Sequence, residues 1–109
     1  MKCLMEIKAG VCGYTTRVTA DSPDEQMVTL DIQTDCQKIG ALAGTLDGTE
    51  IDGYAEIGAG FDGVVLRAAR SHLSGCCAGC VVPAGIFKSV QVAARVALPR
   101  GIEMTMQAE

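Results

Sequence analysis

Three segments in the first third of the chain alternate between apolar and polar residues, which is the pattern of half-buried β-strands. They cover residues 3–9, 14–20 and 27–33. Glycines in the loop 10–13 and the sequence Asp-Ser-Pro-Asp at 21–24 are typical of short turns, so consecutive strands are expected to run antiparallel. The positions expected on the buried face are Cys3, Met5, Ile7, Ala9, Tyr14, Thr16, Val18, Ala20, Val28, Leu30 and Ile32.

Helical spacing of apolar residues follows the third strand. Thr34 or Asp35 is predicted to cap a first helix whose apolar positions end at Leu46. The Gly- and acid-rich residues 47–60 indicate a surface loop with one short turn near 54–57. A second helix is predicted at residues 61–73. The predicted third helix opens at Pro83 and is stopped by the sequence Leu-Pro-Arg-Gly at 98–101.

Alternation returns at the C-terminus, where Ile102, Met104 and Met106 are separated by polar residues, and predicts a last strand. Together these elements predict one α+β domain over residues 1–109, of the broad α/β class. The expected order is β-β-β-α-α-α-β. The expected architecture is a two-layer sandwich with an antiparallel sheet of three to four strands and the helices on one face.

Composition excludes several classes of function. The net charge is −4, there is no tryptophan, and only two tyrosines and two phenylalanines could stack on bases, so we expect no nucleic-acid partner. Charges interrupt the apolar residues of the N-terminus, and we see no uninterrupted apolar run that would span a bilayer. We therefore expect a cytoplasmic protein without a membrane partner. A protein partner or a homodimer is compatible with the high apolar content.

Six cysteines are the main chemical feature of the chain, and three of them lie in the run Ser-Gly-Cys-Cys-Ala-Gly-Cys at 74–80. In a reducing cytosol such thiols are more often metal ligands or reactive groups than structural disulfides. Basic residues outnumber acids in the same half of the chain, since residues 64–102 contain five Lys/Arg and no acid. Positive surroundings favour thiolates and anionic metal–thiolate centres.

The predicted order of strands and helices brings five of the six cysteines to one edge of the sandwich. The leading hypothesis is that Cys12, Cys36, Cys77 and Cys80 bind a zinc ion or an iron–sulfur cluster, between which the sequence does not choose. Cys76 or His72 could replace one of these ligands. Cys3 is expected to be a small buried apolar residue.

Two other hypotheses remain open. In the first, the protein is a metal-free thiol oxidoreductase or sulfur-transfer protein, with Cys80 as the attacking thiolate and Cys77 as the resolving thiol. In the second, it is a protein-interaction module, so whether the protein is an enzyme is left undecided. The sequence Gly58-Ala-Gly-Phe-Asp-Gly63 matches the dinucleotide fingerprint in spacing. It lacks the preceding strand and the later acid that this site requires.

Several motifs together resemble a known family. They are Lys8-Ala-Gly-Val-Cys-Gly-Tyr14, Thr34-Asp-Cys36, Cys80-Val-Val-Pro-Ala-Gly-Ile-Phe-Lys88 and Val92-Ala-Ala-Arg-Val-Ala-Leu-Pro99. They are similar to those of a family of small proteins of anaerobic bacteria and archaea that carries a domain-of-unknown-function label. The resemblance covers nearly the whole chain and implies an intact single domain, an anaerobic host and Cys12, Cys36 and Cys80 as motif positions. An anaerobic host would tolerate an oxygen-labile iron–sulfur cluster.

Overall fold

The three predicted strands form an antiparallel sheet in which each strand neighbours the next. A computed structural model describes residues 1–109, and in it β1 is Lys2–Lys8, β2 is Thr15–Asp21 and β3 is Met27–Thr34. The register aligns Met5 with Val18 and Val18 with Ile32. The positions predicted to face inward are buried or half-buried except Tyr14, which lies just before β2 and is 43% exposed. The inward face carries the helices, and the opposite face is mostly polar. The mixed α+β fold is therefore confirmed.

Four α-helices cover the apolar face. They are α1 (Gln37–Leu46), α2 (Gly53–Ala59), α3 (Val64–His72) and α4 (Val82–Ala93), with 3₁₀ turns at Gly60–Asp62 and Gly75–Gly79. We use the name cysteine turn for residues 75–80. Helix α4 lies across β1 and β2, α1 lies along β3, and α3 packs against both of these helices. The apolar side chains join in one core in which Leu42, Val65 and Ile86 are fully buried.

Close approach between α4 and the sheet depends on a glycine. A Cβ atom built on Gly85 would lie 2.5 Å from Cδ1 of Ile7, so any larger residue would require the Ile7 side chain to move. Residues 75–93 form a stretch of mean hydropathy 1.5, long and apolar enough by composition to cross a membrane, contrary to our expectation from the sequence. In the structure this stretch is divided into the cysteine turn and α4, and most of the α4 residues are buried in the core.

The fourth strand is not the one that the alternation at the C-terminus predicted. Residues 102–107 form no strand and are exposed. The sheet gains its fourth strand instead from β4 (Ile51–Asp52), which pairs with Met27 and Val28 at the start of β3. This short strand and α2 occupy the segment predicted to be a surface loop. Asp52 explains why a helix begins there, because its carboxylate accepts hydrogen bonds from the amides of Tyr54 and Ala55.

Two helix starts also differ from the prediction. Cys36, rather than Thr34 or Asp35, is the N-cap residue of α1, and its side chain makes no capping hydrogen bond. The second predicted helix begins three residues later than expected, after a 3₁₀ turn, so Phe61 is 79% exposed instead of facing inward. The third predicted helix ends at Ala93, and Arg95 takes a positive φ of 61° where the chain turns away.

Candidate functional site: the cysteine turn and its surroundings

The cysteine turn brings the backbones of Cys77 and Cys80 together through a hydrogen bond. The amide of Cys80 donates to the carbonyl of Cys77 over 3.1 Å, and the amide of Cys77 donates to the carbonyl of Ser74 over 3.2 Å. An i to i+3 turn of this kind brings its end Cα atoms within about 7 Å, and in a 3₁₀ turn the side chains at these positions eclipse. Cys77 and Cys80 are both half-buried and free. A disulfide between them requires Cα atoms about 4.4–6.8 Å apart, which such a turn can supply.

A shallow apolar depression lies beside the cysteine turn. Its volume is about 180 Å³, and it is lined on the turn itself by Ala78, the residue after Cys77. Arg70 provides the one charged group, and its guanidinium is held by the backbone carbonyl of Phe61 and by Oδ1 of Asp62 at 3.4 Å. The other lining residues come from α3, α4 and the 3₁₀ turn before α3: Phe61, Leu66, Ala69, Leu73 and Pro83.

Cys36 is placed by a small hydrogen-bond network at the end of β3. Its amide donates to Oγ1 of Thr34 over 3.2 Å, and that hydroxyl also shares a 2.8 Å hydrogen bond with Oγ1 of the buried Thr16. The Cys36 side chain is half-buried and packs against the hydrophobic core, as does the Cys80 side chain. These contacts fix Cys36 at the junction between the sheet and α1.

Cys12 lies in the exposed turn between β1 and β2, where Gly13 donates its amide to the carbonyl of Gly10. This turn is at the same end of the sheet as Cys36, because the residues around Thr16 pair with the ends of both β1 and β3.

The cysteine turn approaches the same end of the sheet through α4. Gly85, near the start of α4, contacts Ile7 near the end of β1, whereas Ala94, after the end of α4, meets Gly53 beside the start of β3. Helix α4 therefore begins at the end that carries Cys12 and Cys36. No three His, Cys, Asp or Glu side chains are grouped closely enough to hold a metal ion. The structure thus brings the predicted ligands to one end of the molecule but does not assemble them into a coordination sphere.

Comparison with known proteins places the chain in a family. A family model described as a family of unknown function, DUF6951, matches residues 3–106. The chain belongs to DUF6951. No curated protein and no solved structure matches it. The match covers nearly all the secondary structure and most of the C-terminal segment of the DUF6951 domain.

His72 of the DUF6951 domain lies away from Cys36. Its Nε2 atom is 3.0 Å from Oγ1 of Thr45, in the last turn of α1. Thr45 is nine residues beyond Cys36, which corresponds to about 13 Å along a helix axis. His72 and Cys36 are therefore not neighbours, and the possibility of their sharing a metal ion finds no support in this arrangement.

The remaining thiols of the DUF6951 domain differ in exposure. Cys76 is exposed, whereas Cys3 is buried on the inner face of β1, as the sequence predicted. Burial raises the pKa of the Cys3 thiol, and a hydrogen bond with Ser89 partly opposes this rise. A thiol that is buried and difficult to ionise is unreactive, so Cys3 is not part of the candidate site.

A buried acid in the DUF6951 domain escaped the sequence analysis. Glu56 is only 3% exposed, and its carboxylate accepts hydrogen bonds from the amides of Val64 (2.6 Å) and Val65 (3.2 Å) at the start of α3. A Cβ atom on Gly63 would lie 2.8 Å from both carboxylate oxygens. Gly63 belongs to the sequence that matches the dinucleotide fingerprint, and its lack of a side chain makes room for the Glu56 carboxylate that caps α3. The signal in the sequence was an acid in a glycine-rich segment just before a helix.

Proposed function

We propose that the protein is a thiol–disulfide oxidoreductase in which Cys77 and Cys80 form a reversible dithiol pair. The observation that carries the proposal is the turn closed by the hydrogen bond from the Cys80 amide to the Cys77 carbonyl, which joins two half-buried, free cysteines at disulfide-compatible spacing. The turn also borders the depression described above, in which Arg70 is the one charged residue.

The proposed reaction exchanges two electrons with a substrate disulfide. The Cys80 thiolate attacks one sulfur of the substrate, a mixed disulfide forms on Cys80, and the departing substrate thiolate takes a proton from water. Cys77 then gives its proton to water and attacks the Cys80 sulfur. This step forms the Cys77–Cys80 disulfide and releases the second substrate thiolate. The dithiol is oxidised, and the substrate disulfide is reduced to two thiols.

The depression beside the cysteine turn suggests which substrates are suitable. It is shallow and apolar, with Arg70 as its one charged residue. A small disulfide that carries carboxylates, or a disulfide on an apolar segment of a protein, fits such a surface, because guanidinium groups bind carboxylates well. Glutathione disulfide is therefore a suitable first probe.

The proposal is tested by reacting reduced protein with glutathione disulfide and following the products by mass spectrometry. We expect the wild type to release two glutathione molecules per chain, and Cys77→Ser to stop at a mixed disulfide with glutathione on Cys80. Cys80→Ser should neither close the internal disulfide nor release the second glutathione. Cys76→Ser is the matched control, since it alters the neighbouring exposed thiol, and should behave as the wild type. Equal reactivity of the three variants and the wild type would exclude a dedicated pair.

Metal binding by Cys12, Cys36, Cys77 and Cys80 is a second candidate function. It is favoured by their location at one end of the sheet, on three segments that each carry an accessible or half-buried thiol. The residues do not form a ready-made site, so binding would require the β1–β2 turn and the cysteine turn to move together. Metal analysis and a visible spectrum after anaerobic purification test it. A zinc or iron content near zero, with no charge-transfer band, would remove this candidate and leave the dithiol proposal unaffected.

A cytoplasmic location and an anaerobic host remain predictions from the sequence. A reducing compartment fits the proposed function, because it would return the Cys77–Cys80 disulfide to the dithiol form.

A further inference from the structure

The C-terminal segment has the pattern of a strand but no partner. Residues 98–109 are all exposed and form no helix or strand. Within them Ile102 is 59% exposed, Met104 74% and Met106 96%, although these residues alternate with polar ones as in an amphipathic strand. The molecule is 45 Å long but only 26 and 24 Å in its other dimensions, which agrees with a tail that lies away from the body. Such an apolar, strand-like segment needs a surface to cover it.

The sheet offers a matching free edge at β1. The strand order is β1-β2-β3-β4, so no strand adjoins the outer side of Lys2–Lys8. On the inner side of this strand, the amide of Ala9 donates a hydrogen bond to the carbonyl of Tyr14, and the amide of Ser22 donates one to the carbonyl of Met1. Hydrogen-bonded pairs alternate in an antiparallel ladder. The even-numbered residues of β1 therefore direct their backbone N–H and C=O groups outward, and an unpaired edge of this kind is open to strand addition.

Length, charge and side-chain alternation all match between this edge and the tail. Lys2 and Lys8 are six residues apart, and so are Glu103 and Glu109. An antiparallel pairing that sets Glu103 opposite Lys8 also sets Glu109 opposite Lys2. Opposite charges directly across a ladder stabilise it.

The same register places the apolar faces together. Met104 falls opposite Ile7, and Met106 falls opposite Met5, on the face of β1 that packs against the helices. A shift of one residue would turn the methionines to the polar face of the sheet and separate the charge pairs. Among antiparallel registers, this one satisfies both the charges and the apolar side chains.

The tail of the same chain cannot easily supply this antiparallel strand. Arg95 pairs with Glu25 at 2.9 Å in the turn between β2 and β3, which lies at the Lys2 end of β1. The tail therefore leaves the core at the end opposite Lys8. An antiparallel strand would have to begin beside Lys8, about 20 Å away along β1. The six residues from Ala97, the last half-buried one, to Glu103 would span that distance only when fully extended.

We propose that residues 102–109 of one copy add as an antiparallel strand to the free edge of β1 in a second copy, and reciprocally, which forms a strand-exchanged homodimer. The exchange covers both exposed β1 edges and both apolar tails. It is independent of the thiol chemistry proposed above. Two-fold symmetry gives a closed assembly, since each copy donates one strand and accepts one.

Sedimentation velocity in the presence of a thiol reductant tests the proposal, because the reductant excludes disulfide-linked dimers. We expect the full chain to be a dimer and a chain that ends at Arg100 to be a monomer whose circular dichroism spectrum still shows the helices of the folded domain. Met104→Asp should raise the dimer dissociation constant by more than about tenfold through lost apolar burial. Its matched control Thr105→Asp lies on the polar face and should change it little. A monomeric full chain, or a dimer that survives truncation, would overturn the proposal.

Exchange of charges tests the register. Lys8→Glu should raise the dissociation constant by about two- to 25-fold, since each dimer contains two such pairs. Adding Glu103→Lys should restore it. If Glu103→Lys instead rescues Lys2→Glu and not Lys8→Glu, the strands run parallel and the antiparallel register is wrong.

Discussion

Glu56 and Gly63 provide a sharp test of how the fold is held together around the start of α3. The Glu56 carboxylate is 3% exposed and accepts hydrogen bonds from the amides of Val64 and Val65. Glu56→Ala removes the acceptor and leaves the buried amide of Val65 and the partly buried amide of Val64 without their partner. Each unsatisfied buried group costs about 1–3 kcal/mol, so we expect the free energy of unfolding to fall by about 2–5 kcal/mol. Domains of this size are stable by only about 5–15 kcal/mol.

Gly63→Ala is expected to destabilise the protein through the same carboxylate. The new Cβ atom would lie 2.8 Å from both Glu56 oxygens, and overpacking of this kind costs about 1–3 kcal/mol. The backbone itself accepts alanine, because Gly63 has φ −71° and ψ 177°. In a Glu56→Ala background the clash is absent. Gly63→Ala should then be neutral or stabilise by about 0.4–1 kcal/mol, through the reduced entropy of the unfolded chain.

A double-mutant cycle measured by urea denaturation at neutral pH checks this reasoning. We expect a coupling free energy of about 1–4 kcal/mol between the two substitutions. Glu50→Ala, which alters an exposed acid nearby in the sequence, is the control and should change stability by less than about 0.5 kcal/mol. If Gly63→Ala costs the same in both backgrounds, the close contact with the carboxylate does not explain the glycine, and the account of this cap is wrong.

Three further predictions concern the sheet and its contacts. Gly85→Ala should lower the free energy of unfolding by about 1–3 kcal/mol, because the new Cβ atom would lie 2.5 Å from Cδ1 of Ile7 in β1. Gly79→Ala is the control in the same denaturation assay and should change stability little, because its Cβ atom would have no neighbour within 4 Å. Thr34→Val should cost about 1–3 kcal/mol by leaving the Thr16 hydroxyl and the Cys36 amide without this partner. Changing both threonines to valine should recover only the part of the loss that comes from the Thr16 hydroxyl, and equal losses in the single and double variants would contradict the pairing of the two hydroxyls. Cys3 should resist iodoacetamide until the protein unfolds, because burial raises the pKa of its thiol. Mass spectrometry of the labelled peptides follows the reaction, and labelling of Cys3 as fast as that of the exposed thiols would contradict its burial.

The sequence predicted most of the fold because its periodicities are regular. Alternation identified β1 to β3 and their buried face, and helical spacing identified α1, α3 and α4. The prediction of a surface loop at residues 51–59 was wrong because a two-residue strand and a short helix rich in glycine have too few positions to show a period. The prediction of a strand at residues 102–107 was wrong although the periodicity there is regular. Their alternation is clear, but a strand also needs a neighbouring strand to pair with, and in the structure this segment pairs with none.

The candidate site was predicted in part. The end of the sheet that carries Cys12 and Cys36 follows from counting antiparallel passes, and the start of α4 brings Cys80 toward the same end. The Cys-x-x-Cys spacing of Cys77 and Cys80 also identified the pair that the turn joins through a backbone hydrogen bond. Whether sulfurs on three segments share one coordination sphere depends on differences of a few ångströms in the positions of the loops. The periodicity of the sequence does not encode such differences. The position of His72 beside Thr45 likewise depends on how α3 crosses α1.

Peptide mapping in glutathione redox buffers tests the proposed dithiol most directly. A tryptic peptide running from Ser71 to Lys88 contains the cysteine turn and none of the other three cysteines. In a Cys76→Ser protein this peptide holds only Cys77 and Cys80. We predict that it loses two hydrogens, as an internal disulfide, when the buffer becomes oxidising, and regains them in a reducing buffer. Two free thiols under oxidising conditions, or links from this peptide to Cys12 or Cys36, would contradict the account.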